Sequence, residues 1–131
     1  MEIIALTLSG LALFYASSMR LVNPSKANFL QTYVTKSENK LAEDVDLLNE
    51  IRGVGAVMLL GGIVILLGTI MPALRLGSFL VAVVIFLGVV FGRLISFGLD
   101  GRPNKDVIKG TFAEIVISAL NIYCLVNQFM N

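Results

Sequence analysis

The sequence predicts an all-α fold: an integral membrane four-helix bundle built as two transmembrane hairpins. Three observations predict it. Apolar residues make up 56% of the 131 positions, above the share in soluble domains, which is a little under half. They gather in four runs, residues 3–22, 51–71, 76–99 and 107–130. Each is about 20 residues or longer, enough to cross a ~30 Å hydrocarbon layer at ~1.5 Å of rise per residue. The middle two runs are joined only by Met71-Pro72-Ala73-Leu74-Arg75, which makes them a hairpin. The chain 1–131 then reads as a single transmembrane domain with one long polar loop, residues 23–50, and no room for a soluble catalytic module.

The first run is N-terminal and apolar, but it opens on Glu2 instead of a basic segment, exceeds the usual signal-peptide core of about 7–15 residues, and ends in Arg20. It reads as a retained first helix. Thr7, Gly10 and Ser17 share one face with Phe14 between them, the pattern that lets a neighbouring helix approach. Asn23-Pro24 stops this helix.

In the polar loop, Leu41, Val45 and Leu48 recur at i, i+4 and i+7, with Glu43, Asp44 and Asp46 turned away. That spacing predicts a short amphipathic helix at the membrane surface, capped by Ser37 or Asn39 and running into helix two. Helix two carries Gly55 and Gly62 seven apart with Thr69 seven further on, and helix three carries Gly88, Gly92 and Ser96. Such small-residue rows let backbones meet closely in lipid, either within the bundle or against another copy of the chain. Helix four has the most informative face. Thr111, Glu114, Ser118, Asn121 and Gln128 fall on one side, and polar groups in hydrocarbon are costly enough that this side should look inward. Arg20-Leu21-Val22 echoes Arg93-Leu94-Ile95, and Ile51-Arg52-Gly53 echoes Ile108-Lys109-Gly110, short matches that raise duplication of a helical hairpin as one origin of the chain.

Charge and cysteine usage narrow the chemistry. The net charge is +1 with no long run of like charges, so nothing points to nucleic acid. Histidine is absent, and Cys124 is the sole cysteine. That removes the commonest transition-metal ligand and general base and rules out a disulfide within the chain. No metal and no cofactor are expected.

The candidate site lies at one end of the bundle. With four spans, the connection at Pro72 and both termini share one side, and the loops after helices one and three share the other. Arg93 sits about two turns before the end of helix three, Glu114 about two turns into helix four, and Arg52 at the mouth of helix two, with Arg20 joining from helix one. Buried opposite charges seek each other, so Arg93 and Glu114 should pair. The pair reads first as glue between helices. Three arginines against Glu114 and Glu50 also leave surplus positive charge in a partly dry pocket suited to a carboxylate, phosphate or lipid headgroup, with acyl chains along Phe79, Phe86 and Phe91. Ser118 and Asn121 extend it inward. Asp100 belongs at its rim, although Asp100-Gly101-Arg102-Pro103 is also explicable as a turn alone.

Asn49-Glu50-Ile51-Arg52-Gly53-Val54-Gly55 at the start of helix two, Arg93 followed by Asp100-Gly101-Arg102-Pro103 at the end of helix three, and a mid-helix Glu114 resemble the bacterial four-helix membrane family catalogued as domain of unknown function 4345, itself similar to DoxX-like proteins. The resemblance implies a bundle in the bacterial inner membrane with Arg52, Arg93, Asp100 and Glu114 in its polar core. It implies no established activity.

Three function classes follow. The first is a binding or accessory protein that holds a lipid-like or amphiphilic anion, or a partner membrane protein, at the Arg/Glu cluster. The second is a small transporter or proton conduit along the polar face of helix four. The third is a DoxX-like membrane redox accessory protein or lipid-modifying enzyme, which would have to work through Glu114, Tyr15, Tyr33 or a borrowed quinone. Membrane lipids and a homo-oligomer or partner membrane protein are the expected partners. Arg20, Lys26, Lys36, Lys40, Arg52, Arg93, Arg102, Lys105 and Lys109 lie on the side of the two polar loops, against Arg75 on the other, which places those loops in the cytoplasm and both termini outside.

Overall fold

Proline and short polar caps decide where the helices begin and end. The computed structural model describes residues 1–26 and 44–130. Helix α1 (Glu2–Val22) stops ahead of Pro24, and the chain turns through one 3₁₀ turn at Pro24–Lys26. Helix α2 (Val45–Ile70) is capped by Asp44, whose carboxylate accepts from the Leu47 amide at 3.0 Å. A second 3₁₀ turn, Pro72–Leu74, leads directly into α3 (Arg75–Leu99). Gly101 takes the left-handed backbone at φ 94° in the last connection, where a side chain would be strained. Helix α4 (Lys105–Met130) opens with Asn104 accepting from the Val107 amide at 2.9 Å.

All four helices are long and apolar enough to cross a membrane. They match the four runs expected. The amphipathic segment differs in part: from Val45 onward it is not a separate surface helix but the first turns of α2. At 26 residues that helix is about 39 Å long, more than a ~30 Å hydrocarbon layer needs. Leu41, Glu43 and the candidate caps Ser37 and Asn39 lie outside the described residues.

The helices alternate in direction, and the closest approach is α1 against α2. A β-carbon on Gly62 would come within 3.3 Å of the Gly10 carbonyl oxygen and the Leu13 β-carbon, so the glycine is what allows the two backbones to meet. Gly10 and Ser17 face this seam, as their spacing predicts, whereas Phe14 is turned outward and Thr7 is only partly covered. Between α2 and α3 the tie is polar. Ser78 Oγ donates to the Val64 carbonyl at 2.8 Å, in the space that Gly68 leaves. Leu6, Leu13, Ile65, Phe79, Phe86 and Cys124 fill the core. The Gly88 and Gly92 row lies on the outer side of α3, with nothing among the described residues within 4 Å of where a β-carbon would sit, so among those residues it is not a helix-packing seam.

Candidate functional site

The polar face of α4 does look inward. Thr111, Ser118 and Asn121 are buried, and Glu114 is half-buried. Six residues before the end of α3, about 9 Å along the helix, Arg93 reaches across to it. The Arg93 Nη1 and Glu114 Oε2 atoms are 2.9 Å apart, with each side chain about one-fifth exposed. The N–H groups of the same nitrogen aim elsewhere: they donate to Thr111 Oγ1 at 3.1 Å and to the Val107 carbonyl at 3.4 Å. Glu114 Oε2 consequently has its charge compensated but receives no directed hydrogen bond. Gly110 makes this crossing possible, since a β-carbon there would stand 3.2 Å from Arg93 Nη1.

Beside the pair lies a cleft of about 180 Å³ between α1 and α4. Among the described residues, Arg20, Lys26 and Arg93 supply three cations to its wall, and Asp106 and Glu114 supply two carboxylates. The remainder is amphipathic: Tyr15, Ala16 and Met19 from α1, Met58 from α2, and Val107 and Gly110 from α4. Arg20 is held at the end of α1 by donating to the Ala16 carbonyl at 3.1 Å. The Pro24 turn then folds Lys26 back over the mouth.

Of the residues singled out from sequence, Arg20, Arg93 and Glu114 come together here. Ser118 and Asn121 continue inward on the same face of α4, one and two turns deeper, but do not line the cleft. Asn121 Nδ2 donates to Ser9 Oγ at 2.7 Å and to the Ile117 carbonyl at 2.8 Å, tying α4 to α1 in the core. Arg52 and Glu50 are exposed on the first turns of α2 and do not line the cleft. Asp100 is exposed at the end of α3 and accepts from Ser96 Oγ at 2.8 Å. The acyl path expected along Phe79, Phe86 and Phe91 is not present, because Phe79 and Phe86 are buried core residues and Phe91 points away from the bundle. Lys26 and Asp106 line the cleft with no sequence-based expectation as site residues, and Tyr15 lines it although the sequence suggests it only as a redox group. The i, i+4 spacing of Tyr15 with Met19 and of Ala16 with Arg20 was the one available signal for the α1 wall.

The opposite end carries a second polar group. Arg75 Nη1 lies 3.3 Å from Glu2 Oε2, which also accepts from Gln128 Nε2 at 3.1 Å. This joins α1, α3 and α4 at the end away from the cleft.

A model of a family described as a domain of unknown function (DUF4345) matches residues 1–125. No curated protein and no solved structure matches. The chain belongs to the DUF4345 family.

Proposed function

We propose that this DUF4345 protein is an integral membrane binding or accessory protein that holds a lipid-like anionic ligand by its charged group. The single observation carrying this reading is the cleft between α1 and α4, where, among the described residues, Arg20, Lys26 and Arg93 outnumber Asp106 and Glu114 at a helix end. Guanidinium and ammonium groups there offer charge-assisted hydrogen bonds to phosphate or carboxylate oxygens. A volume of about 180 Å³ falls below the ~300–1,000 Å³ of pockets that enclose a whole drug-sized ligand, so the cleft takes a headgroup and leaves acyl chains outside, against the apolar helix surfaces. The excess of Lys and Arg on this side supports a cytoplasmic cleft.

Native mass spectrometry of the protein released from membranes tests the reading. Wild-type protein should carry phospholipid held through its phosphate, and Arg20→Gln and Lys26→Gln, which leave the Arg93–Glu114 pair intact, should each carry less. Wild-type protein that emerges with neither lipid nor a partner protein overturns it.

One observation favours a second reading, a proton or solute path. Ser118 Oγ and Asn121 Oδ1 are buried without hydrogen-bond partners in line with Glu114. Against it, the seven residues from Asn121 to Gln128 span about 10 Å, and the inward position between them is Cys124, which is buried in the apolar core. Proton flux into liposomes that Glu114→Gln abolishes would favour the path over the binding site.

A further inference from the structure

The two carboxylates of the cleft stand at different depths. Asp106 is the second residue of α4 and is exposed at the rim. Lys26, in the turn after α1, and Arg20, two residues before the end of that helix, line the same cleft. Arg93 lies about 9 Å of helical rise below its own helix end. Glu114, eight residues beyond Asp106 in α4, forms the floor about 12 Å down and is already engaged with Arg93. One carboxylate thus stands at the rim and the other, paired with Arg93, at the floor of a cleft that Lys26 and Arg20 also line.

A carboxylate in the first turn of a helix is ordinarily explained by the helix dipole and by capping. Here the cap is already supplied by Asn104, which accepts from the Val107 amide, and the Asp106 side chain lines the cleft. For a purely anionic ligand a rim carboxylate is a repulsive element, whereas for a zwitterion it is a second attachment point.

We propose, building on the anion-binding reading above, that the cleft selects a phosphate ester bearing an ammonium group, with Asp106 as the specificity-determining residue. In an ethanolamine phospholipid the covalent order is acyl chains, glycerol, phosphate, a two-carbon spacer and ammonium. Chains directed into the bilayer then set the phosphate among Arg20, Lys26 and Arg93, and the ammonium outward of it at Asp106. A glycerol phospholipid presents the same phosphate but no cation to the rim. Free phosphoethanolamine shares the headgroup chemistry without the chains.

Delipidated full-length protein in detergent is mixed with equimolar phosphatidylethanolamine and phosphatidylglycerol, and bound lipid is counted by native mass spectrometry, with and without excess soluble phosphoethanolamine. Wild type should retain the ethanolamine lipid about threefold over the glycerol lipid, the scale of an exposed ion pair, and Asp106→Asn should erase that preference while still binding both. Displacement of the lipid by soluble phosphoethanolamine supports the same chemistry with a free headgroup as the source, and resistance to it assigns the source to the lipid. Equal retention, or a preference for phosphatidylglycerol in wild type, overturns the zwitterion inference and leaves the anion site standing. A preference that survives in Asp106→Asn overturns the assignment of that residue. Retention of neither lipid overturns both this inference and the reading beneath it.

Discussion

Each end of the bundle sets an arginine from α3 against a glutamate from another helix, and the two ends are completed differently. Where α1 begins and α4 finishes, Glu2 Oε2 receives Arg75 at 3.3 Å and Gln128 at 3.1 Å, and three helices are tied at one atom. At the other end the ions approach more closely, to 2.9 Å, but Arg93 gives its N–H groups to Thr111 and Val107, and Glu114 Oε2 is left without a directed donor beside a cleft. Equivalent charges thus make a fastener in one place and a partly uncommitted polar site in the other. The helices differ in what surrounds the pair: Arg93 crosses the bare backbone of Gly110, and Arg20 and Lys26 line the adjoining cleft.

The largest expected effect separates the two pairs energetically. Arg93→Ala takes the nearest cation from half-buried Glu114, with Arg20 in the same cleft wall, and should cost at most about 3–5 kcal/mol, the range for breaking a fully buried ion pair. Arg75→Ala, whose partner Glu2 is about one-third exposed, should cost about 1 kcal/mol or less. Denaturant unfolding in detergent micelles measures both, and equal losses would erase the distinction between the ends. Glu114→Gln keeps the volume, and Arg93 keeps Thr111 and Val107 as acceptors, so the loss should be smaller than for Arg93→Ala. A milder change is expected at the closed end, where Gln128→Leu removes one of two donors to Glu2 and should lower stability by about 1 kcal/mol, with lipid retention at the cleft unchanged. Reduced retention in that variant would mean that the ends are coupled.

The smallest expected effect concerns the glycines between these ends. Gly88→Ala meets open space and should be neutral or stabilising by up to about 1 kcal/mol, the helix-propensity difference. Gly62→Ala sets a β-carbon 3.3 Å from the Gly10 carbonyl oxygen and should destabilise. Thermal melts of the two variants should therefore move in opposite directions. A large loss for Gly88→Ala, accompanied by a change of oligomeric state in analytical ultracentrifugation, would show that another subunit covers that face.

Chain-local physics made much of this legible in advance. Four uninterrupted apolar runs, the proline stops at Pro24 and Pro72, and the one-sided placement of Thr111, Glu114, Ser118 and Asn121 are properties of residues near one another in sequence, so hydropathy and helical periodicity reveal them. The pairing of Arg93 with Glu114 was also legible, because two costly charges at matched depth have few other partners.

Other features were decided only when the helices met. Gly62 and Gly88 sit in similar rows, yet one touches a neighbouring backbone and the other faces outward. Phe79 and Phe86 went to the core instead of lining an acyl path. Arg52 and Glu50, suitably charged, remained exposed on α2 and do not line the cleft, whereas Lys26 and Asp106 were carried to it by a turn and a helix start. The physical reason is rotational. Sequence sets the angular spacing of side chains around each helix, but which side of a helix turns toward its neighbours depends on how all four apolar and small-residue faces are accommodated together, and that is settled by tertiary packing.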